Sequence, residues 1–82
     1  MNATTLRRNQ ERAIRETVVL LVELMRKEGI TQAELAGRLG HTEAWIINRF
    51  DGTVELTLRD VSDMMTAMGH EFSAQRGKGV SR

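Results

Sequence analysis

Thr31-Gln32-Ala33-Glu34-Leu35-Ala36-Gly37-Arg38-Leu39-Gly40-His41-Thr42-Glu43-Ala44-Trp45-Ile46-Ile47-Asn48-Arg49-Phe50 decides how this chain is read. The stretch has the form of two short helices joined by a tight turn. Gln32 opens the first helix. Ala36 is small where two helices would cross closely. Gly40 can take the positive φ that a sharp turn requires without a steric cost. Ile46 then anchors the second helix, and Leu35, Leu39 and Ile46 form the apolar clamp that holds the pair to its neighbours. This is the spacing of a helix-turn-helix over 32–50.

The same punctuation continues outward. Gly29, Gly40, Gly52 and Gly69 each follow an apolar-periodic segment, where a left-handed residue closes a last helical turn. Threonines mark the starts. Thr31 with Glu34, and Thr57 with Asp60, have capping-box spacing, and Thr42 can cap the segment from Glu43. Four helices are expected, over 5–28, 32–39, 43–50 and 57–68. With no proline and only Trp45, Phe50 and Phe72 as aromatics, helices are favoured over strands. The fold class is therefore all-α, a four- to five-helix bundle with a long first helix. Residues 1–72 form the domain, and the small, basic residues 73–82 form a disordered tail.

In the first helix Ile14, Val18, Leu21, Val22 and Met25 share one face and read as a core stripe. Leu6, Ala13, Leu20 and Leu24 form a second stripe well around the helix. Two readings of it stand. Either the C-terminal half of this helix is covered nearly all round, or the second stripe is a dimer interface with another chain, as its heptad-like spacing suggests. In the last helix Leu58, Val61, Met64, Met65 and Met68 make the apolar side, with the methionines as core filler.

Composition narrows the function classes. An 82-residue chain has room for one domain, and 28% charged with 40% hydrophobic residues is ordinary for a globular protein. Cysteine is absent, so disulfides and thiolate metal sites are excluded, which fits a reducing cytoplasm. The longest apolar run, Val18–Val22, is far short of the roughly 20 residues that span a bilayer. No membrane contact is expected. The arginines near the N-terminus are not followed by an apolar segment and cleavage site, so no signal peptide is read there. His41 and His70 have no acidic partners at metal-ligand spacing, no phosphate loop is present, and serines such as Ser62 lack a base. Asp60 and Asp63 share a helix face and read as solvated surface. The chain is not expected to be an enzyme or to carry a cofactor or metal.

Net charge is only +1, but it is unevenly spread. Residues 1–28 hold six cationic side chains against four carboxylates, and residues 70–82 three against one. Residues 29–69, which include the helix-turn-helix, hold three against six, a net of −3. A basic excess is the usual footprint of a nucleic-acid binder. Here it lies at the two ends of the chain.

Residues 30–69 resemble the Cro/cI-type (XRE, lambda-repressor-like) helix-turn-helix family. Thr31-Gln32-x-x-Leu35-Ala36-x-x-Leu39-Gly40 matches its second and third helices. Gly52-Thr53-Val54-Glu55-Leu56-Thr57-Leu58-x-x-Val61-Ser62-Asp63-Met64-x-x-Ala67-Met68-Gly69 is similar to the closing helix of a subgroup of compact phage regulators and HigA-like antitoxins. The resemblance covers about half the chain and implies that the second helix of the motif enters the major groove of DNA. Carried over position by position, it places Glu43, Ala44 and Asn48 at base edges. Asparagine can pair with adenine, Glu43 can accept from a cytosine amino group, and Ala44 can touch a thymine methyl. Gln32, Arg38, Thr42 and Arg49 would contact the DNA backbone. Arg49 departs from the pattern, since the family usually buries an apolar residue there, and Phe50 is expected to take that packing role. Gly37 weakens its helix by about 1 kcal/mol relative to alanine. Trp45 either stacks on the turn between the helices or presses on the sugar-phosphate edge.

Arg7, Arg8, Arg12, Arg76, Lys78 and Arg82 are candidate accessory contacts, against the plainer reading of a solvated helix face and a loose terminus. Such contacts would act through counterion release. The function expected is a sequence-specific double-stranded DNA-binding transcriptional regulator, a repressor of phage or prokaryotic type, acting as a homodimer on a palindromic operator in the cytoplasm. Two rivals stand beside it. One is an antitoxin that binds a toxin and represses its own operon. The other is a protein-interaction module that does not bind DNA.

Overall fold

Short-range capping chemistry sets where each helix of this chain begins and ends. The computed structural model describes residues 2–70, which form four helices and no strand: α1 (Ala3–Glu28), α2 (Gln32–Leu39), α3 (Glu43–Phe50) and α4 (Leu58–Ala67). These match the expected segments to within two residues at every boundary. The expected tail, with Arg76, Lys78 and Arg82, lies outside the described residues, as does Phe72.

α1 starts two residues earlier than its apolar pattern suggests, because the Asn2 side chain caps it by accepting the Thr5 N–H at 2.8 Å. Thr42 caps α3 by accepting from the Trp45 N–H, at 3.2 Å. At α4 the capping box is complete. Thr57 Oγ1 accepts the Asp60 N–H, and the Asp60 carboxylate accepts the Thr57 N–H. α1, α2 and α4 end alike. An N–H two or three residues beyond the last helical residue reaches back six-to-one, from Ile30 to the Met25 carbonyl, His41 to Ala36 and His70 to Met65. A left-handed residue must precede it, and Gly40, with φ of 76°, supplies the tight turn between α2 and α3.

The described residues divide into two compact units. α1 with its closing turn, through Thr31, is one, and the residues from Gln32 onward are the other. In the first, Leu21, Met25 and Ile30 are buried, and Val18, Val22 and Leu24 are half-buried. Ile14 was expected in the core stripe, but it is exposed, as is every residue from 3 to 16. Periodicity selects a face of the helix and not the point along it where cover begins, which is Thr17.

In the second unit α2 packs against both α3 and α4. Its core is Leu35 and Ala36 from α2, Ile46 from α3, Val61, Met64 and Met68 from α4, and Leu56 from the connection before α4. Leu35, Ile46 and Met64 have lost essentially all contact with solvent. Burying a side chain of this size stabilises by roughly 1.5–3 kcal/mol. Leu39 is half-buried, so it flanks the clamp instead of filling it. Leu58 was expected on the apolar side of α4, but it is 70% exposed. Helical Cα–Cβ bonds tilt toward the N-terminus, so a residue at the first position points past the end of the packed face.

The connection from α3 to α4 is tied down locally. Asp51 Oδ1 accepts the Thr53 N–H at 2.8 Å, and the Val54 N–H bonds the Asn48 carbonyl at 3.0 Å. Hydrogen bonds from the Thr53 hydroxyl, and then from its N–H, hold the Asp51 carboxyl below its ordinary range. With the loop folded back in this way, Leu56 reaches the core.

Candidate nucleic-acid interface

α3 is fixed from three sides. Ile46 is buried in the core, Trp45 and Phe50 are half-buried, and Thr42 holds the first turn. A column of side chains at positions 41, 45 and 49 runs along one flank of the helix. The His41 imidazole stacks on the Trp45 indole, with ring centroids 4.1 Å apart and planes 2° from parallel. The Arg49 guanidinium carbon lies 3.8 Å from the Trp45 ring centroid, a cation–π contact. Trp45 therefore stacks on the turn between α2 and α3, the first of its two expected roles.

Arg49 does more than cover the indole. Its Nε donates to Asp60 Oδ2 at 3.1 Å, and Nη1 donates to the Trp45 carbonyl at 3.4 Å. The side chains of this ion pair are only 18% and 14% exposed. Asp60 Oδ2 also accepts the Thr57 N–H at 3.1 Å, so one carboxylate oxygen closes the α4 cap and ties α3 to α4. Asp60 was expected to pair with Thr57 and otherwise to be solvated surface; its carboxylate is instead half-buried and holds Arg49. An arginine thus occupies a position where an apolar residue was expected. Its charge is matched by Asp60 and its stem and plane by Trp45, while Phe50 beside it is half-buried.

The remaining expected contact residues fall at separate places. Thr42, Glu43 and Ala44 are exposed around the start of α3. Asn48 is half-buried, one turn further along. Gln32 is half-buried at the first position of α2. Arg38, on α2, is exposed, and its Nη1 donates to the Ala67 carbonyl at the end of α4, 2.9 Å away. That carbonyl belongs to the negative end of a helix, where a guanidinium is favoured. Arg7, Arg8 and Arg12 are exposed on α1, as are Leu6, Ala13 and Leu20, whereas Leu24 is half-buried.

One exposed residue on α3 was not singled out from the sequence. Ile47 is 41% exposed. It follows Glu43 by four positions and Ala44 by three, so the three share a face. The signal was present in the sequence. Ile46 and Ile47 are adjacent, and a helix of this size can direct only one of two neighbours into the core. Among the described residues no helix is long and apolar enough to cross a membrane, and no group of three or more His, Asp or Glu side chains could hold a metal ion.

No family model, curated protein or solved structure matched this chain when it was compared with each.

Proposed function

We propose that the chain is a sequence-specific double-stranded DNA-binding transcriptional regulator, a repressor that acts as a homodimer on a palindromic operator. The observation that carries this reading is the α2–turn–α3 unit. Leu35, Ala36 and Ile46 are buried, Gly40 turns the chain at positive φ, and α3 keeps Glu43, Ala44 and Ile47 exposed. A helix held rigidly from behind with a free outer face suits insertion into the major groove. The resemblance of residues 30–69 to Cro/cI-type proteins supports the same reading, including a lambda-repressor-like arrangement of the helices.

In this reading Glu43, Ala44 and Asn48 face base edges, and Gln32 and Thr42 meet phosphates. A guanidinium carries five N–H donors. Arg38 has one of them on Ala67, which leaves others for a phosphate. Arg49 is tied to Asp60 and to the Trp45 carbonyl, so its main part is to hold the reading helix in place. Arg7, Arg8 and Arg12 supply the electrostatic attraction that the acidic residues 29–69 do not. The homodimer is supported by Leu6 and Leu20, which are 49% and 67% exposed on α1.

The same exposed α1 side chains favour a second reading, in which a protein partner, such as the toxin of an antitoxin pair, docks there. A gel shift with genomic fragments at two salt concentrations tests the first reading. A sequence-preferring shift at low salt, falling steeply as salt rises, is the result expected. Asn48→Ala should lose preference among fragments, and the Arg7→Ala, Arg8→Ala double variant should weaken all of them alike. Absence of any preferential shift at low salt would leave a protein-interaction module as the surviving account.

A further inference from the structure

We infer that Ile47 is a specificity-determining residue, forming with Ala44 an apolar contact for the C5-methyl groups of thymine, so that the preferred half-site carries thymines at neighbouring steps. The inference rests on the DNA-binding reading above and names what that surface selects.

The core takes up only part of Ile47, which is 41% exposed. Ile46 already fills the inward position of α3, and Phe50 and Trp45 flank it. Nor is Ile47 favoured by helix propensity, since β-branched side chains lower it slightly. It stands exposed among polar and small neighbours, with Glu43 and Ala44 on its own face and Asn48 beside it. Phosphate recognition by side chains cannot account for this face, because Glu43 repels phosphate and the side chains of Ala44 and Ile47 carry no hydrogen-bond donor. Side chains three positions apart on a helix have Cβ atoms about 5–6 Å apart. Successive bases on one strand rise about 3.4 Å. Ala44 and Ile47 therefore span one to two base steps. On the major-groove edge only thymine presents an apolar group, its C5-methyl. An apolar pair at this spacing is thus matched by thymines on adjacent or next-adjacent pairs, while Asn48 and Glu43 are left to pair with polar edges.

The test uses the full chain and two forms of one DNA site. Binding sites are selected from random duplex DNA, and each thymine of the enriched half-site is replaced singly by uracil, which lacks only the methyl group. Burial of one such group corresponds to about a fourfold change in affinity. For the unaltered protein, uracil at one or two positions should weaken binding about fourfold. Ile47→Ala should bind the thymine and uracil forms equally at the position Ile47 covers, and Ile47→Val should fall between. Ile47 is 41% exposed, so both truncations should cost less than a core substitution. A urea titration followed by Trp45 fluorescence shows that each variant is folded, and the ratio of uracil to thymine affinity is read within each variant. Equal binding of uracil and thymine at every position would overturn the inference while leaving DNA binding intact. So would an Ile47→Ala protein that keeps the original sensitivity, or one whose only change is weaker self-association in sedimentation. If no duplex is bound at all, the DNA-binding reading fails and this inference with it.

Discussion

Replacing Asp60 by alanine should cost the α2–α4 unit far more than a surface substitution does. Asp60 Oδ2 accepts from Arg49 Nε and from the Thr57 N–H, both at 3.1 Å. Losing its half of the capping box costs about 1 kcal/mol. The ion pair lies between two limits. Exposed pairs contribute about 0.2–1 kcal/mol, and breaking a fully buried one costs about 3–5 kcal/mol. With side chains 18% and 14% exposed, a loss of about 1–2 kcal/mol is reasonable. The sum is about 2–3 kcal/mol, against a total stability on the order of 4–12 kcal/mol for a chain of this length. The melting temperature should fall by roughly 10–20 °C. Urea titration followed by fluorescence is the assay, because Trp45 is the only tryptophan and touches Arg49. Thr57→Ala is the control: it removes the cap acceptor but leaves the ion pair, and should cost about 1 kcal/mol. In a double-mutant cycle, Arg49→Met with Asp60→Asn should show a coupling of at least about 1 kcal/mol. If Asp60→Ala costs no more than Thr57→Ala, or the cycle is additive, the tie between α3 and α4 contributes nothing and the reasoning is refuted.

Two glycines should behave oppositely in the same titration. A Cβ at Gly37 would meet nothing within 4 Å and the position is helical, so Gly37→Ala should stabilise by about 0.5–1 kcal/mol; Gly40 has equal room but φ of 76°, so Gly40→Ala should destabilise by about 1 kcal/mol or more. Leu20→Glu should leave folding unchanged, because Leu20 is 67% exposed, and should convert dimers to monomers in sedimentation velocity if the exposed face of α1 pairs two copies. The Asp51 carboxyl is held below its ordinary value by Thr53, so its contribution is complete at neutral pH and disappears as pH falls from about 4 through the lowered folded value. Asp51→Asn should therefore flatten that part of the acid limb and leave the neutral plateau parallel, which thermal melts at stepped pH would measure.

What could be read from the sequence is what depends on near neighbours. Thr42 and Thr57 cap the helices they precede, and Gly29, Gly40 and Gly69 close the helices they follow, because those interactions span only three to five residues. The apolar clamp of Leu35 and Ile46 was legible from periodicity. The unread part depends on contacts between distant positions. Arg49 meets Asp60 eleven residues away, and Arg38 meets the Ala67 carbonyl twenty-nine away. Neither pairing leaves a local signature. Ile30 in the first unit and Leu56 in the second are buried although they lie in connections, where there is no periodicity to mark them. Ile14 and Leu58 failed for a third reason, since they lie on the right faces but beyond the ends of the covered stretches. At the candidate interface the column of positions 41, 45 and 49 follows helical spacing and could have been anticipated. Ile47 could also have been found, because Ile46 beside it already fills the core.

Selection of binding sites from random duplex DNA tests the central claim most directly, since it reads binding, symmetry and spacing together. The account predicts enrichment of an inverted repeat whose half-sites lie one helical turn apart, about 10–10.5 base pairs centre to centre. Rounds of selection at low salt that leave the pool random, with the protein folded by its Trp45 signal, would contradict it.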